Sequence, residues 1–173
     1  MMKKILLAVL LAVSFNASAA LTVPATGRIE VAFSPDAGAT ELVVKTIDQA
    51  RKFILVQAYS FTSAPIAQAL ALAKVRGVDV RVILDKSQKS GRYTVVTYLK
   101  NHGIPTWIDS RHAIAHNKVM VIDGVTVITG SFNFTKAAET KNAENVIVLH
   151  DNPKLTAIYE ANWFAHESHS EPQ

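Results

Sequence analysis

The sequence contains no cysteine, which removes disulfides and thiolate metal sites at once. It has no apolar run of membrane-spanning length. Ile5 to Val13 is unbroken, but about nine residues cannot cross a bilayer as a helix. It also has no large excess of either charge: 18 Lys and Arg stand against 14 Asp and Glu, for a net +4. No internal repeat and no linker interrupts it. One domain is therefore expected, with enough apolar residues (49%) to bury an ordinary core.

The N-terminus reads as a leader, not as fold. Lys3 and Lys4 precede the short apolar run, and Ala17-Ser18-Ala19 follows it. A positive start, a short hydrophobic stretch and a small-x-small site have the form of a bacterial export signal. Cleavage is expected after Ala19, with Ala20 as the second choice, and the destination is the periplasm or the medium. Lys3 and Lys4 lie ahead of that cut and no acid does, which brings the charge from +4 to +2. Such a balance permits nucleic acid or anionic lipid as partner and selects neither.

Residues 22 to 167 carry the pattern of an α/β domain. Strands are expected at Arg28 to Ser34, Phe53 to Tyr59, Val78 to Leu84 and Ile104 to Ile108. Helices fall between them at Ala39 to Lys52, Ser63 to Arg76 and Gly91 to Asn101. Ser63 is a candidate N-cap. This alternation implies helices layered on a mixed, largely parallel central sheet. Ala143 to Leu149 reads as a further strand, and Asn152-Pro153 opens a last helix, Lys154 to His166. Residues 168 to 173 read as a flexible tail.

The chemistry is concentrated in His116 to Asn133, HNKVMVIDGVTVITGSFN. Asp123-Gly124, flanked by Val and Ile, signals a two-residue hairpin turn. That turn would set Ile122 opposite Val125, Lys118 opposite Thr129, and His116 opposite Ser131. His116, Lys118, Thr129 and Ser131 would then share one face at the open end, with Asn133 in the same parity. An imidazole, an ammonium, hydroxyls and an amide make a cradle for a phosphate. Asp123 and Gly124 read as structural turn residues. Glu144, or else Glu139, is the candidate carboxylate to fix the tautomer of His116. The six histidines read as scattered, with no pair at metal-ligand spacing, so no metal and no cofactor is expected.

His116-x-Lys118, four residues, Asp123, six residues, then Gly130-Ser131-x-Asn133 resembles the signature of the phospholipase D superfamily at every fixed position. Gln57 to Thr62, Arg76 to Val80 and Gly130 to Asn142 also resemble the small bacterial periplasmic endonucleases encoded on conjugative plasmids. The resemblance implies the phospholipase D-like fold and cleavage of a phosphodiester without metal. One histidine would attack phosphorus to give a phosphohistidine, and a second would protonate the leaving oxygen. Lys118 and Asn133 would hold the non-bridging oxygens, Ser131 would assist, and Gly130 would be structural. Larger members carry the motif twice. Here it occurs once, so the resemblance implies a homodimer with one active site on its two-fold axis.

Arg111, just ahead of the motif, is assigned to substrate binding beside His112. Lys86, Lys89 and Arg92 form a basic stretch that suits a phosphate backbone or a solvated loop. Trp107 and Trp163 read as core or dimer contacts. The expected function is a non-specific endonuclease on DNA, with RNA as a further substrate. A phospholipase D acting on membrane phospholipid is the alternative from the same chemistry, and a non-catalytic binding module the alternative from outside it.

Overall fold

The computed structural model describes residues 20–89 and 95–173. The expected export signal lies outside these residues, as do Arg92 and the expected start of the helix at Gly91. The strands are β1 (Ile29–Ser34), β2 (Phe53–Ala58), β3 (Asp79–Asp85), β4 (Thr106–Asp109), β5 (Lys118–Ile122), β6 (Thr126–Gly130), β7 (Glu144–Leu149) and β8 (Glu171–Pro172). The helices are α1 (Ala39–Asp48), α2 (Ala64–Val75), α3 (Val95–Asn101), α4 (Lys136–Thr140) and α5 (Pro153–Glu167). None is long and apolar enough to cross a membrane.

All eight strands join one mixed sheet in the order β1-β7-β6-β5-β2-β3-β4-β8. Only β2–β3 and β3–β4 are parallel pairs, and every other neighbouring pair is antiparallel. The sheet is mixed as expected but not largely parallel. β1 departs from the simple alternation because it crosses to the far edge and pairs with β7. The tail is also not free. Glu171 and Pro172 pair with Ile108 and Trp107, and Glu171 takes Lys89 Nζ at 2.7 Å.

Each face of the sheet is covered differently. Ile54, Val56, Met120, Ile122, Ile128, Val146 and Val148 form the main core with Val43, Ile47, Ile66 and Leu70 of α1 and α2. Leu55, Ile83, Val119 and Val121 pack on Trp163 of α5. The Trp163 indole N–H donates to the Val56 carbonyl at 3.0 Å, which satisfies the one polar atom of a fully buried ring. Ser63 occupies the N-cap of α2, but its side chain makes no capping bond. Asn152 does cap α5, its Oδ1 accepting from Leu155 N–H at 3.1 Å.

The β5–β6 hairpin turns where expected, but its register differs by one. Asp123 and Gly124 both adopt left-handed conformations, with φ of 56° and 73°. Val125 N–H donates to Ile122 C=O at 3.1 Å. Val125 then leaves the ladder, because its carbonyl accepts Asn152 N–H at 3.0 Å. Pairing resumes at Ile122 with Thr126, Val121 with Val127 and Met120 with Ile128. One extra residue moves every partner by one position. Lys118 therefore comes level with Gly130, and Thr129 lies on the opposite face of the sheet.

Asp123 does more than turn the chain. Its carboxylate accepts from the backbone N–H groups of Arg51 at 2.8 Å, Lys52 at 2.8 Å and Phe53 at 3.0 Å. It thereby fixes the entry into β2. Asp123→Ala is expected to cost about 2 to 3 kcal/mol of folding stability, since three donors lose a charged acceptor. Urea unfolding measures this, and an unchanged midpoint would refute the role.

Candidate active site

The motif residues collect at one edge of the sheet. β2 ends at Ala58, which is level with Lys118 at the start of β5. β6 ends at Gly130 and β7 begins at Glu144. Loops leaving this edge can present side chains over the strand ends, where α/β proteins gather their ligands. Tyr59 N–H donates to Asn117 C=O at 2.9 Å and so fastens the segment between His116 and Lys118 to the end of β2.

His116 is exposed and Lys118 is buried. Lys118 Nζ lies 3.2 Å from His116 Nδ1 and donates to the His116 carbonyl at 2.9 Å. The Tyr59 ring lies against the imidazole, with centroids 4.6 Å apart, and Lys118 Nζ is 5.4 Å from the same ring's centroid. Burial lowers the pKa of Lys118 from its ordinary value, and the charge of Glu144 opposes that shift. Tyr59 was not singled out in the sequence as a site residue; its signal was its place in the Gln57 to Thr62 segment.

Gly130 is required by a close approach. Its φ is 147°, and a Cβ there would lie 2.2 Å from the Asn145 carbonyl oxygen. That carbonyl accepts from Ser131 N–H at 3.1 Å and Phe132 N–H at 3.2 Å. In return Ser131 Oγ accepts from Asn145 N–H at 3.1 Å and Asn145 Nδ2 at 3.3 Å. Both lone pairs of the hydroxyl are thus engaged, and its proton has no acceptor among the described residues. Asn133 Oδ1 is buried with no partner, an uncommon condition that marks a group awaiting one. A half-turn of the amide would bring its N–H₂ to the same place.

Neither carboxylate bonds to His116 in this chain. Glu144 accepts from Asn142 Nδ2 at 3.3 Å and acts on Lys118 through its charge. Glu139 is committed elsewhere: its Oε2 accepts Thr40 N–H at 2.7 Å, serving the N-terminus of α1, where Gly38 has no side chain to cap. The Arg111 side chain is exposed, and its backbone N–H donates to Asp109 Oδ1 at 3.1 Å. Lys86 Nζ donates to the His112 carbonyl at 3.1 Å and Lys89 pairs with Glu171, so both lysines tie the surface of this edge together.

The histidines are not all scattered. His112, His166 and His169 surround Asp109, and the four ligand atoms lie within 4.8 Å of one another. Burial works to raise the pKa of Asp109, but hydrogen bonds from His166, His112 and Arg111 N–H hold it down to about 2. The sequence signals for this cluster are Asp109-x-x-His112 and His166-x-x-His169, short spacings separated by most of the C-terminal half.

Residues 43–166 match the family described as Cardiolipin synthase, PLD-like domain. A phospholipase D of Rickettsia prowazekii is 42% identical over 143 residues, covering 83% of this chain and 69% of the relative. Nuc from Salmonella typhimurium, a phospholipase D family member of known structure, is 43% identical with a TM-score of 0.81, covering 84% of this chain and 97% of that one. NucT from Helicobacter pylori shares the fold at 21% identity and a TM-score of 0.73, covering 83% of this chain and 99% of that one. The chain belongs to the phospholipase D superfamily of phosphodiester hydrolases.

Proposed function

We propose that this phosphodiesterase is exported to the periplasm or the medium and works as a homodimer. Its substrate is nucleic acid, DNA foremost, cut through a phosphohistidine without a metal at phosphorus. The observation that carries this reading is a single exposed His116 beside the buried ammonium of Lys118, in a corner where Ser131 and Asn133 keep polar atoms unengaged.

The reaction needs two such corners. His116 of one copy attacks phosphorus and the P–N bond forms. The bond to the leaving oxygen breaks, and that oxygen takes a proton from the second copy's imidazole. Water then attacks phosphorus, gives its proton to that second imidazole, and the P–N bond breaks to restore the first. Two Lys118 cations offset the phosphate charge, with Ser131 O–H and Asn133 available to the non-bridging oxygens. Attack through Nε2 requires the proton on Nδ1, so Lys118 Nζ, a donor 3.2 Å from Nδ1, must turn from it to the bound phosphate, and Glu144 is the carboxylate whose charge already reaches this corner.

Support for the dimer lies beside the site. Ile29, Val31 and Phe33 are 49%, 52% and 60% exposed along one face of β1. This apolar stripe ends at Phe33, level with Asn145, the residue that holds Ser131. A second copy laid there would cover the stripe. Nucleic acid is favoured by the resemblance of Gln57 to Thr62 and Gly130 to Asn142 to small endonucleases, and by the compact single domain. Phospholipid is the second reading. It is favoured by Ile114, 58% exposed two residues before His116, and by relatives named phospholipase D.

Nicking of supercoiled plasmid by purified protein in excess EDTA tests the choice, beside phosphatidylcholine vesicles assayed for released choline. Nicking that disappears in His116→Ala is the expected outcome. Choline release without nicking would move the assignment to lipid, and activity of neither kind would refute the reading.

A further inference from the structure

We propose that Asp109, His112, His166 and His169 form a structural zinc site that staples the loop carrying His116 to the C-terminal end of α5. The site is separate from the proposed chemistry at phosphorus and does not depend on it.

The argument starts with one oxygen. Asp109 Oδ2 lies 2.9 Å from His112 Nδ1, 2.7 Å from His166 Nδ1 and 3.4 Å from His169 Nε2. His112 Nδ1 also lies 3.2 Å from Oδ1, where Arg111 N–H already donates, so the three rings and that N–H together take every lone pair the carboxylate has. The same convergence suits a cation, which each nitrogen would meet with a lone pair. Four ligands on a tetrahedral zinc, with bonds of about 2.0–2.1 Å, stand about 3.3 Å apart. The contacts to Asp109 bracket that spacing, while the widest separation among the four atoms, up to 4.8 Å, has to close by about an ångström or more as the rings turn onto an ion.

The donor set selects the metal class. Three neutral imidazoles and one carboxylate suit zinc better than calcium or magnesium, which take oxygen ligands. Four protein ligands also close the coordination shell, as in structural rather than catalytic zinc sites. The outer shell is in place, because Asp109 Oδ1 is fixed by Arg111 N–H at 3.1 Å. An entry path exists as well: the Asp109 side chain is fully buried, while that of His112 is 44% exposed.

The site would add a metal bond between elements already joined by the β4–β8 pairing and by Trp107 against Trp163. His166 lies in the last turn of α5 and His169 just beyond it. Asp109 ends β4, and His112 sits midway along the seven-residue path from Asp109 to His116. That path is also held by Ala115 N–H on Asp85 at 2.7 Å, by Lys86 on the His112 carbonyl and by Ser110 Oγ on Glu171 at 3.1 Å. A chain with no cysteine has no disulfide to do this, and a metal staple serves the same purpose.

The test is metal content. Protein incubated with zinc chloride and desalted is expected to retain one zinc per chain and to melt several degrees higher than protein stripped with a strong chelator. Cobalt(II) in its place should give the visible bands of a four-coordinate site. The His166→Ala/His169→Ala double variant should lose metal and the thermal shift together, whereas His102→Ala, at a histidine outside the cluster, should keep both. His169→Ala alone, at a partly exposed position, gives the same reading should the double variant fold poorly. His116→Ala should bind zinc as wild type does, so the result stands whatever the substrate proves to be. No zinc on the wild-type protein after desalting, or equal retention by the His169 variant, would overturn the site.

Discussion

An equimolar mixture of wild-type and His116→Ala chains, once subunits have exchanged, is expected to show about a quarter of the activity of the same total amount of wild type. If both imidazoles of one dimer act in each turnover, only the wild-type homodimer works, and random pairing yields that species about one time in four. The variant alone should lose at least about 10³-fold, because it removes nucleophile and acid together. Stability should barely move. His116 is exposed, and its side chain lies against Tyr59 and Lys118, so thermal melting serves as the control. Activity that falls in proportion, to about half, would mean that each chain holds a complete site, and the shared active site would have to be abandoned.

Much of this arrangement was legible in the sequence because it rests on local patterns. The strands and helices follow hydrophobic period and turn residues, and their bounds differ from expectation by a residue or two, apart from the shorter α1 and the expected start at Gly91, which lies outside the described residues. The motif pointed to the corner proposed to react because six fixed residues share one hairpin and its exit. What escaped depends on contacts between distant segments. The register slipped by one because Asn152, far along the chain, takes the carbonyl of Val125. Glu139 could be counted as a partner for His116 only until Thr40 claimed it. The C-terminal residues looked free because a two-residue edge strand has no periodicity to read, and β4 supplies its order. The four residues around Asp109 come from two short pairs that nothing in a linear reading brings together, and only the packing of α5 against β4 makes them neighbours.

Lys118→Met is expected to lower kcat/KM by about 10²–10³-fold, the loss seen when one preorganised donor to a developing oxyanion is removed, while leaving the fold as stable or more so. The two effects have one cause. Burial places an ammonium where its charged form is disfavoured, and its pKa falls below the ordinary 10.5. Below the lowered pKa the folded state bears the cost of a buried cation. As pH rises through that value toward 10.5 the folded chain sheds its proton first, the cost disappears, and stability rises. Methionine keeps the length and removes the charge, so the cost is absent at neutral pH. On the proposed function the cation is kept there for the phosphate and not for the fold. If two imidazoles share the site, one neutral and one protonated, the profile is already bell-shaped, one limb for each protonation state required. Titration of Lys118 should add a further fall on the alkaline side, at lower pH than an unperturbed lysine would give. Lys118→Arg should remove that second fall, since guanidinium stays charged throughout, even if its bulk costs some activity at every pH. Rate profiles of the three proteins, with melting measured in the same buffers, decide the point. A methionine variant of full activity, or one that melts well below wild type at neutral pH, would show that Lys118 serves the fold rather than the phosphate.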